Sequence, residues 1–515
     1  MSHRLFLRKP YQMFMAEMEG DNRLRRILGP ISLTSLGVGS TIGAGIFVLV
    51  GLAAHDKAGP ALILSFVVSG IVCVFTALAY AELASMVPVA GSTYTYAYAT
   101  LGEFFAWIIG WDLVLEYAVA ASTVANGWSQ YLDALLRPAG LRVPEVISKA
   151  PFDYDPALGH LVATGCYLDL PALLITAAIT VILVKGIRES SVFNNVMVAI
   201  KVLVILLAIV LGAFYIHSAN WHPFAPFGYT GISFFGHTLF GQTGAGGEPL
   251  GMLAGSAIIF FSYIGFESVS THAEEAKNPQ KDVPIGLIAS LIVCTVLYIG
   301  MAVVLSGMVP NDKINIEAPV ADAFRQVGLA WAEFIISIAA IAGITSVLLV
   351  TILSQARILL AIARDGLLPQ SFFGDVHPKF RTPWKATIAT GAFVAVFAAL
   401  IPLRILAELV SIGTLFAFLI VCLAVLIMRK KSPEAKRPFR CPGVPYVPIL
   451  GAAFCLLLMF SLPWENWLRL FVWLLIGLAI YFGYGRRHAR LTPEMAQGRL
   501  NAAAASPGPA SGDRP

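Results

Sequence analysis

Three stretches of this 515-residue chain carry residues whose type and spacing could do chemistry. Residues 37–51 read GVGSTIGAGIFVLVG, with five glycines inside fifteen residues of an otherwise apolar run. Glycine costs a helix about 1 kcal/mol per position relative to alanine. Such a run therefore marks either a surface for close packing or a backbone opened toward a ligand. Residues 262–267, SYIGFE, interrupt a second apolar run with a tyrosine, a glycine and an acid. Single charges also sit in apolar surroundings: Lys201 in NNVMVAIKVLVILL, and Glu116 in GWDLVLEY with Asp112 one helical turn before it. A charge at mid-membrane costs about 2.5–3.5 kcal/mol on insertion scales, which makes each of these a functional candidate. Lys201 lies about ten residues into its run, hence roughly 15 Å deep at 1.5 Å per residue. An amine at that depth can release and regain a proton as a pocket opens and closes, with Glu116, at comparable depth, as its electrostatic partner.

The elements that must position these groups are membrane helices. The chain is 57% hydrophobic and only 13% charged, with mean hydropathy +0.77, where soluble domains carry about 25% charge. A crossing needs about 20 apolar residues. Twelve runs meet that need, near 31–53, 62–86, 101–122, 171–187, 192–216, 251–272, 284–308, 330–362, 384–401, 405–428, 444–461 and 466–484. The expected class is an all-α integral membrane protein. Most Lys and Arg fall in the loops that an even number of spans and a cytoplasmic N-terminus would place inside, above all RKKSPEAKRPFR at 429–440 and Arg23, Arg25 and Arg26 of the arm. That bias predicts both termini in the cytoplasm. The organisation expected is a cytoplasmic arm at 1–30, a core at 31–428, a basic loop with two further spans at 429–485, and a disordered cytoplasmic tail at 486–515.

Several function classes are excluded. The net charge of +5 is modest and distributed by topology, so no nucleic-acid partner is expected. The nine histidines are scattered, and no HExxH or CxxC occurs among them and the six cysteines. No metal, cofactor or enzymatic constellation is expected. The glycine run is not a dinucleotide loop, since Gly37-Val-Gly39-Ser-Thr-Ile42 lacks the third glycine and any strand before it. Helix packing through Gly39-Ser-Thr-Ile-Gly43 is one remaining reading. The other is an unwound helix over Gly39–Gly45, and transporters that use one carry a second in the corresponding position of an inverted repeat. The break at Ser262–Glu267 lies five spans later, where such a repeat requires it.

The strings GVGSTIGAGIF, GWDLVLEY and YIGFESVSTHAEEAKNPQKDVPIG resemble the amino acid–polyamine–organocation transporter superfamily, and most of all its cationic amino acid transporter branch with bacterial proton-coupled members. The resemblance runs over about residues 25–485. It implies a LeuT-like fold, with spans 1–5 and 6–10 as inverted repeats and two extra helices, in the plasma (inner) membrane. An amino acid is a zwitterion, and a broken helix offers amides to its carboxylate and carbonyls to its ammonium. The expected substrate residues are the amides of Gly43, Ala44 and Gly45, and carbonyls around Thr41, Ile42, Phe261, Ser262 and Ile264. By resemblance, Phe266 is a gating aromatic and Thr351 and Ile352 flank the side-chain pocket. Lys201 would stand where sodium-coupled relatives hold their cation, meeting span 1 near Gly39 and Ser40 and the hydroxyls of Thr345 or Ser346. The expected activity is uptake of neutral and cationic L-amino acids by proton symport. A proton-independent exchanger or uniporter is the alternative. Glu82 is expected to brace the inner end of the bundle, and an accessory subunit is not readable.

Overall fold

A computed structural model describes residues 6–10, 28–87, 92–155, 158, 160–186, 191–234, 236–431 and 433–491. Arg23, Arg25 and Arg26 of the arm and the tail beyond residue 491 lie outside the described residues. Helix occurs on every apolar run read from the sequence. Among the described residues, eight helical segments are long and apolar enough to cross a membrane, and three shorter apolar helices, Leu170–Lys185, Trp384–Leu400 and Tyr446–Met459, accompany them. The protein is a multi-pass membrane protein.

Local sequence explains where several helices begin. Proline stands in the first positions of Pro30–Thr41, Leu170–Lys185, Pro279–Met308 and Pro319–Gln326, where its missing N–H would have had no acceptor. Asp169 caps Leu170–Lys185 by accepting from the Ala172 amide at 3.0 Å and from Ser129 Oγ at 2.7 Å. Its burial outweighs those bonds and pushes its carboxyl up to about 7.

Three expectations are corrected. The third run does not end near residue 122; its helix extends over Glu103–Leu136 because Val124, Gly127, Tyr131 and Ala134 keep one face buried. The stretch between the second and third runs, 87–100, contains a helix, Ser92–Thr100, whose Tyr94, Tyr96 and Tyr98 are buried. Tyr94 holds it down by donating to Asp365 Oδ2 at 2.7 Å. The chain is also not purely helical. Its long loops form antiparallel hairpins, Phe152–Asp155 with His160–Ala163, Ile232–Phe234 with His237–Phe240, and Gln242–Thr243 with Pro249–Leu250. These short segments pair their backbone locally, since they are too short to bury a helical face.

The helices pack in a pattern that frames the site. Glu103–Leu136 lies along Ala330–Arg364, Leu62–Met86 along Pro279–Met308, and Leu170–Lys185 along Trp384–Leu400. Pro30–Thr41 is enclosed by Ser191–Ala213, Pro279–Met308 and Ala330–Arg364. Trp464–Ile480 docks on Glu103–Leu136 through a reciprocal pair: Trp111 Nε1 donates to the Trp473 carbonyl and Trp473 Nε1 to the Trp111 carbonyl, each at 2.8 Å. At the end of Leu62–Met86, Glu82 accepts from Arg429 Nε and Nη2 at 3.0 and 2.7 Å and from the Cys441 amide at 2.8 Å.

Candidate functional site

The two interrupted helices meet at their breaks. Pro30–Thr41 stops where Ile42 turns extended, with φ −76° and ψ 102°, and a helical run resumes at Gly45. This break is narrower than the Gly39–Gly45 hinge read from the sequence. Gly39, Ser40 and Thr41 stay helical because the carbonyls freed at the helix end find side-chain donors. Lys201 Nζ donates to the Gly39 and Ile42 carbonyls at 2.8 and 3.3 Å. Tyr298 donates to the Thr41 carbonyl at 3.0 Å. In the second element, Met252–Ile259 runs into a tight turn at Phe260–Tyr263. Ile264 is then extended, Gly265 takes φ +119°, and helix returns at Ser268–Thr271.

Glycine is required on both sides of this meeting. A Cβ on Gly45 would lie 2.4 Å from Ser262 Cα, and one on Gly265 would lie 2.5 Å from the Ser40 carbonyl oxygen. Gly265 also needs a left-handed backbone, which a side chain would strain. Residue 40 thus faces 265 while residue 45 faces 262, so the two breaks run antiparallel. Ser40 Oγ locks them, donating to the Gly265 carbonyl at 2.8 Å and standing 2.7 Å from Ser268 Oγ.

A small cavity of about 30 Å³ lies beside the breaks. Thr41, Gly43, Ala44 and Gly45 form one wall; Phe261, Ile264 and Thr351 form part of another. The amides of Gly43, Ala44 and Gly45 meet no backbone acceptor among the described residues, as expected where a helical run begins. Ile42, Ser262, Phe266 and Ile352 do not line the cavity. Phe266 is fully buried against Phe418, ring centroids 5.6 Å apart, so it covers no ligand space in this conformation.

Lys201, 1% exposed, also donates to Ser346 Oγ at 2.6 Å. Thr345 is not its partner: that hydroxyl donates to the Ile341 carbonyl and accepts from Trp128 Nε1. Nor is Glu116, since no hydrogen bond or ion pair joins the two among the described residues. Glu116 instead lines the cavity together with Glu267, and the two carboxyls are electrostatic neighbours. Among the described residues, each keeps one oxygen without a hydrogen-bond partner, Glu116 Oε2 and Glu267 Oε1, and both oxygens of Asp112 lack one as well. The cavity lining contains no Lys, Arg or His. His272 Nδ1 is satisfied locally, 3.0 Å from the Ser268 carbonyl and 3.0 Å from Thr271 Oγ1.

Sequence reading passed over Tyr298, Tyr117 and Ser268, and left Glu267 without a firm role. Tyr298 had no signal, being one aromatic in an apolar run. Glu267 had one: an acid two residues after a break glycine can reach back to the freed amide, and Glu267 Oε2 accepts from the Gly265 amide at 2.9 Å.

Comparison with known proteins agrees with this architecture. The family model for amino acid permeases matches residues 28–482. The branched-chain amino acid permease BcaP of Bacillus subtilis (strain 168) is 44% identical over 488 residues, covering 95% of this chain and 99% of the relative. The methylthioribose transporter of the same organism is 44% identical over 487 residues, again 95% and 99% of the two chains. The vacuolar cationic amino acid transporter 4 of Arabidopsis thaliana is 38% identical over 423 residues, 81% of this chain and 65% of the relative. With the paired helix breaks, these matches establish that the chain belongs to the amino acid permease family, within the amino acid–polyamine–organocation superfamily of transporters.

Proposed function

We propose that this protein is a secondary active transporter that takes up neutral and cationic L-amino acids across the plasma membrane by proton symport, through alternating access. The observation that carries the reading is the antiparallel contact of the two breaks, Gly45 on Ser262 and Gly265 on Ser40. It sets unpaired amides at Gly43, Ala44 and Gly45 across a cavity from the carbonyl side of the second break, a complement to a zwitterion. Two relatives of equal identity are named for a branched-chain amino acid and for methylthioribose, so identity does not choose the substrate. The break chemistry favours a ligand with both a carboxylate and an ammonium.

The same reading gives the architecture as twelve spans, with both termini cytoplasmic. Spans 1–5 and 6–10 are inverted repeats and the last two helices lie outside them. It is supported by the packing of helices five spans apart: the second on the seventh, the third on the eighth and the fourth on the ninth. The substrate residues are Thr41, Gly43, Ala44, Gly45, Phe261, Ile264 and Thr351. Ile42, Ser262, Phe266 and Ile352 back them, and join them when the helices move. Lys201, with Ser346, is the coupling group, and Glu116 acts from the cavity side.

One observation favours the alternative of a proton-independent exchanger or uniporter. Lys201 has three neutral acceptors and no carboxylate, which suits a permanently held cation. Uptake by purified protein in liposomes decides between them, using a panel of labelled L-amino acids under an imposed pH gradient, a sodium gradient, or neither. Symport requires accumulation driven by the pH gradient alone. Equal rates in all three conditions point to the exchanger or uniporter, and no uptake of any amino acid overturns both.

A further inference from the structure

Both breaks in this cavity offer backbone amides, so a zwitterion could in principle lie across it in either direction. The structure treats the two breaks differently. At the first, the amides of Gly43, Ala44 and Gly45 have no backbone acceptor. At the second, the Gly265 amide is already taken by Glu267 Oε2 at 2.9 Å. Glu267 is 3% exposed and lines the cavity. Its other oxygen, Oε1, meets no donor at hydrogen-bond geometry among the described residues, with the Tyr117 hydroxyl as a neighbour of the carboxyl. Glu116 Oε2 is likewise unpartnered, and no cationic side chain lines the space.

We propose that Glu267 is a positioning residue that sets the direction of the bound substrate. One oxygen fills the amide site of the second break, which closes it to a carboxylate; the other is presented to the substrate's ammonium. The substrate carboxylate then meets the amides of Gly43, Ala44 and Gly45. A ligand placed the wrong way round would set its carboxylate against the Glu267 carboxylate, and like charges at close range disfavour one another. This inference rests on the amino acid reading above, and it explains how a cavity with two amide-bearing breaks distinguishes the ends of its ligand.

The test compares the wild-type chain with Glu267→Gln and Glu267→Ala, purified in detergent and read by ligand-induced thermal shift. The probes are L-leucine and L-arginine, together with 4-methylpentanoate and 3-methylbutylamine, which are leucine without its ammonium and without its carboxylate. The wild type is expected to prefer L-leucine over 4-methylpentanoate. That preference should fall by about tenfold or more in both variants, since a charge-assisted contact is lost. In Glu267→Ala, the freed Gly265 amide should also strengthen binding of 4-methylpentanoate itself. A purely structural role would weaken all probes together and leave their ratios unchanged, and that outcome overturns the proposal. No response of the wild type to either amino acid, nor to the rest of the twenty, overturns the amino acid reading and with it this proposal. If neither variant purifies as a single species, competition on wild-type uptake decides. 4-Methylpentanoate competing as well as L-leucine overturns the proposal, and at least tenfold weaker competition supports it.

Discussion

Lys201 reaches from one helix to the broken end of another, its Nζ standing 2.8 Å from the Gly39 carbonyl oxygen. That contact, with the Ile42 carbonyl and Ser346 Oγ, ties the first break to the helices around it by one amine. Replacing Lys201 with alanine leaves two carbonyls without their donor and removes the amine at the break's end. Lys201→Ala is expected to lose pH-gradient-driven accumulation while still exchanging amino acid across the bilayer. Uptake and counterflow in liposomes check this, and an unchanged response to the gradient removes Lys201 from coupling.

The contact of Gly45 with Ser262 has no slack. Gly45→Ala sets a methyl 2.4 Å from a backbone atom, so a break must move as a unit. Overpacking of this kind costs about 1–3 kcal/mol. A clearly lower melting temperature in detergent is expected, with amino acid uptake lost. Gly51→Ala is not a neutral control, since its Cβ would also crowd Pro319; Gly483→Ala, with open space around it, is the proper one.

Glu82, 1% exposed, gathers the guanidinium of Arg429 and the Cys441 amide and lies 3.3 Å from Arg437 Nε. Glu82→Gln removes the counter-charge of Arg429 and weakens the contact with Arg437. Removing one partner of a fully buried pair costs about 3–5 kcal/mol, and the partial exposure of Arg429 reduces this to roughly 2 kcal/mol. The expected result is a lower melting temperature without a change in which amino acids are carried.

Asp169 gives a pH signature. Its carboxyl is raised from 3.8 to about 7, with burial the main cause. Between those values the folded state holds a proton that the unfolded chain has released. Its contribution is therefore complete below pH 3.8 and is lost as pH rises to about 7. Asp169→Asn keeps a good capping group and carries no charge. Melting temperatures measured from pH 4 to 8 should fall less steeply for the variant than for the wild type, and identical slopes would contradict the shift.

The sequence alone determined the membrane class, the apolar runs on which helix occurs, the neighbourhoods of the two breaks and Lys201 as a charge within an apolar run. Each of these is a local property: the length of an apolar run, glycines in its middle, a charge that lipid does not tolerate. The resemblance of the motifs to a known superfamily further pointed Lys201 toward Gly39 and Ser346, whose oxygens it meets. Only the tertiary structure decided which side chains face the cavity. It turned Phe266 away onto Phe418, set Glu116 beside Glu267 instead of Lys201, and brought Tyr298 to the Thr41 carbonyl from a helix with no marker in its sequence. It also confined the first break to Ile42 and Gly43, because donors from other helices hold the turn before it. In a helix hydrophobic on every side, nothing in the local pattern distinguishes the inward face. Rotation about the axis is settled only when the neighbouring helices pack.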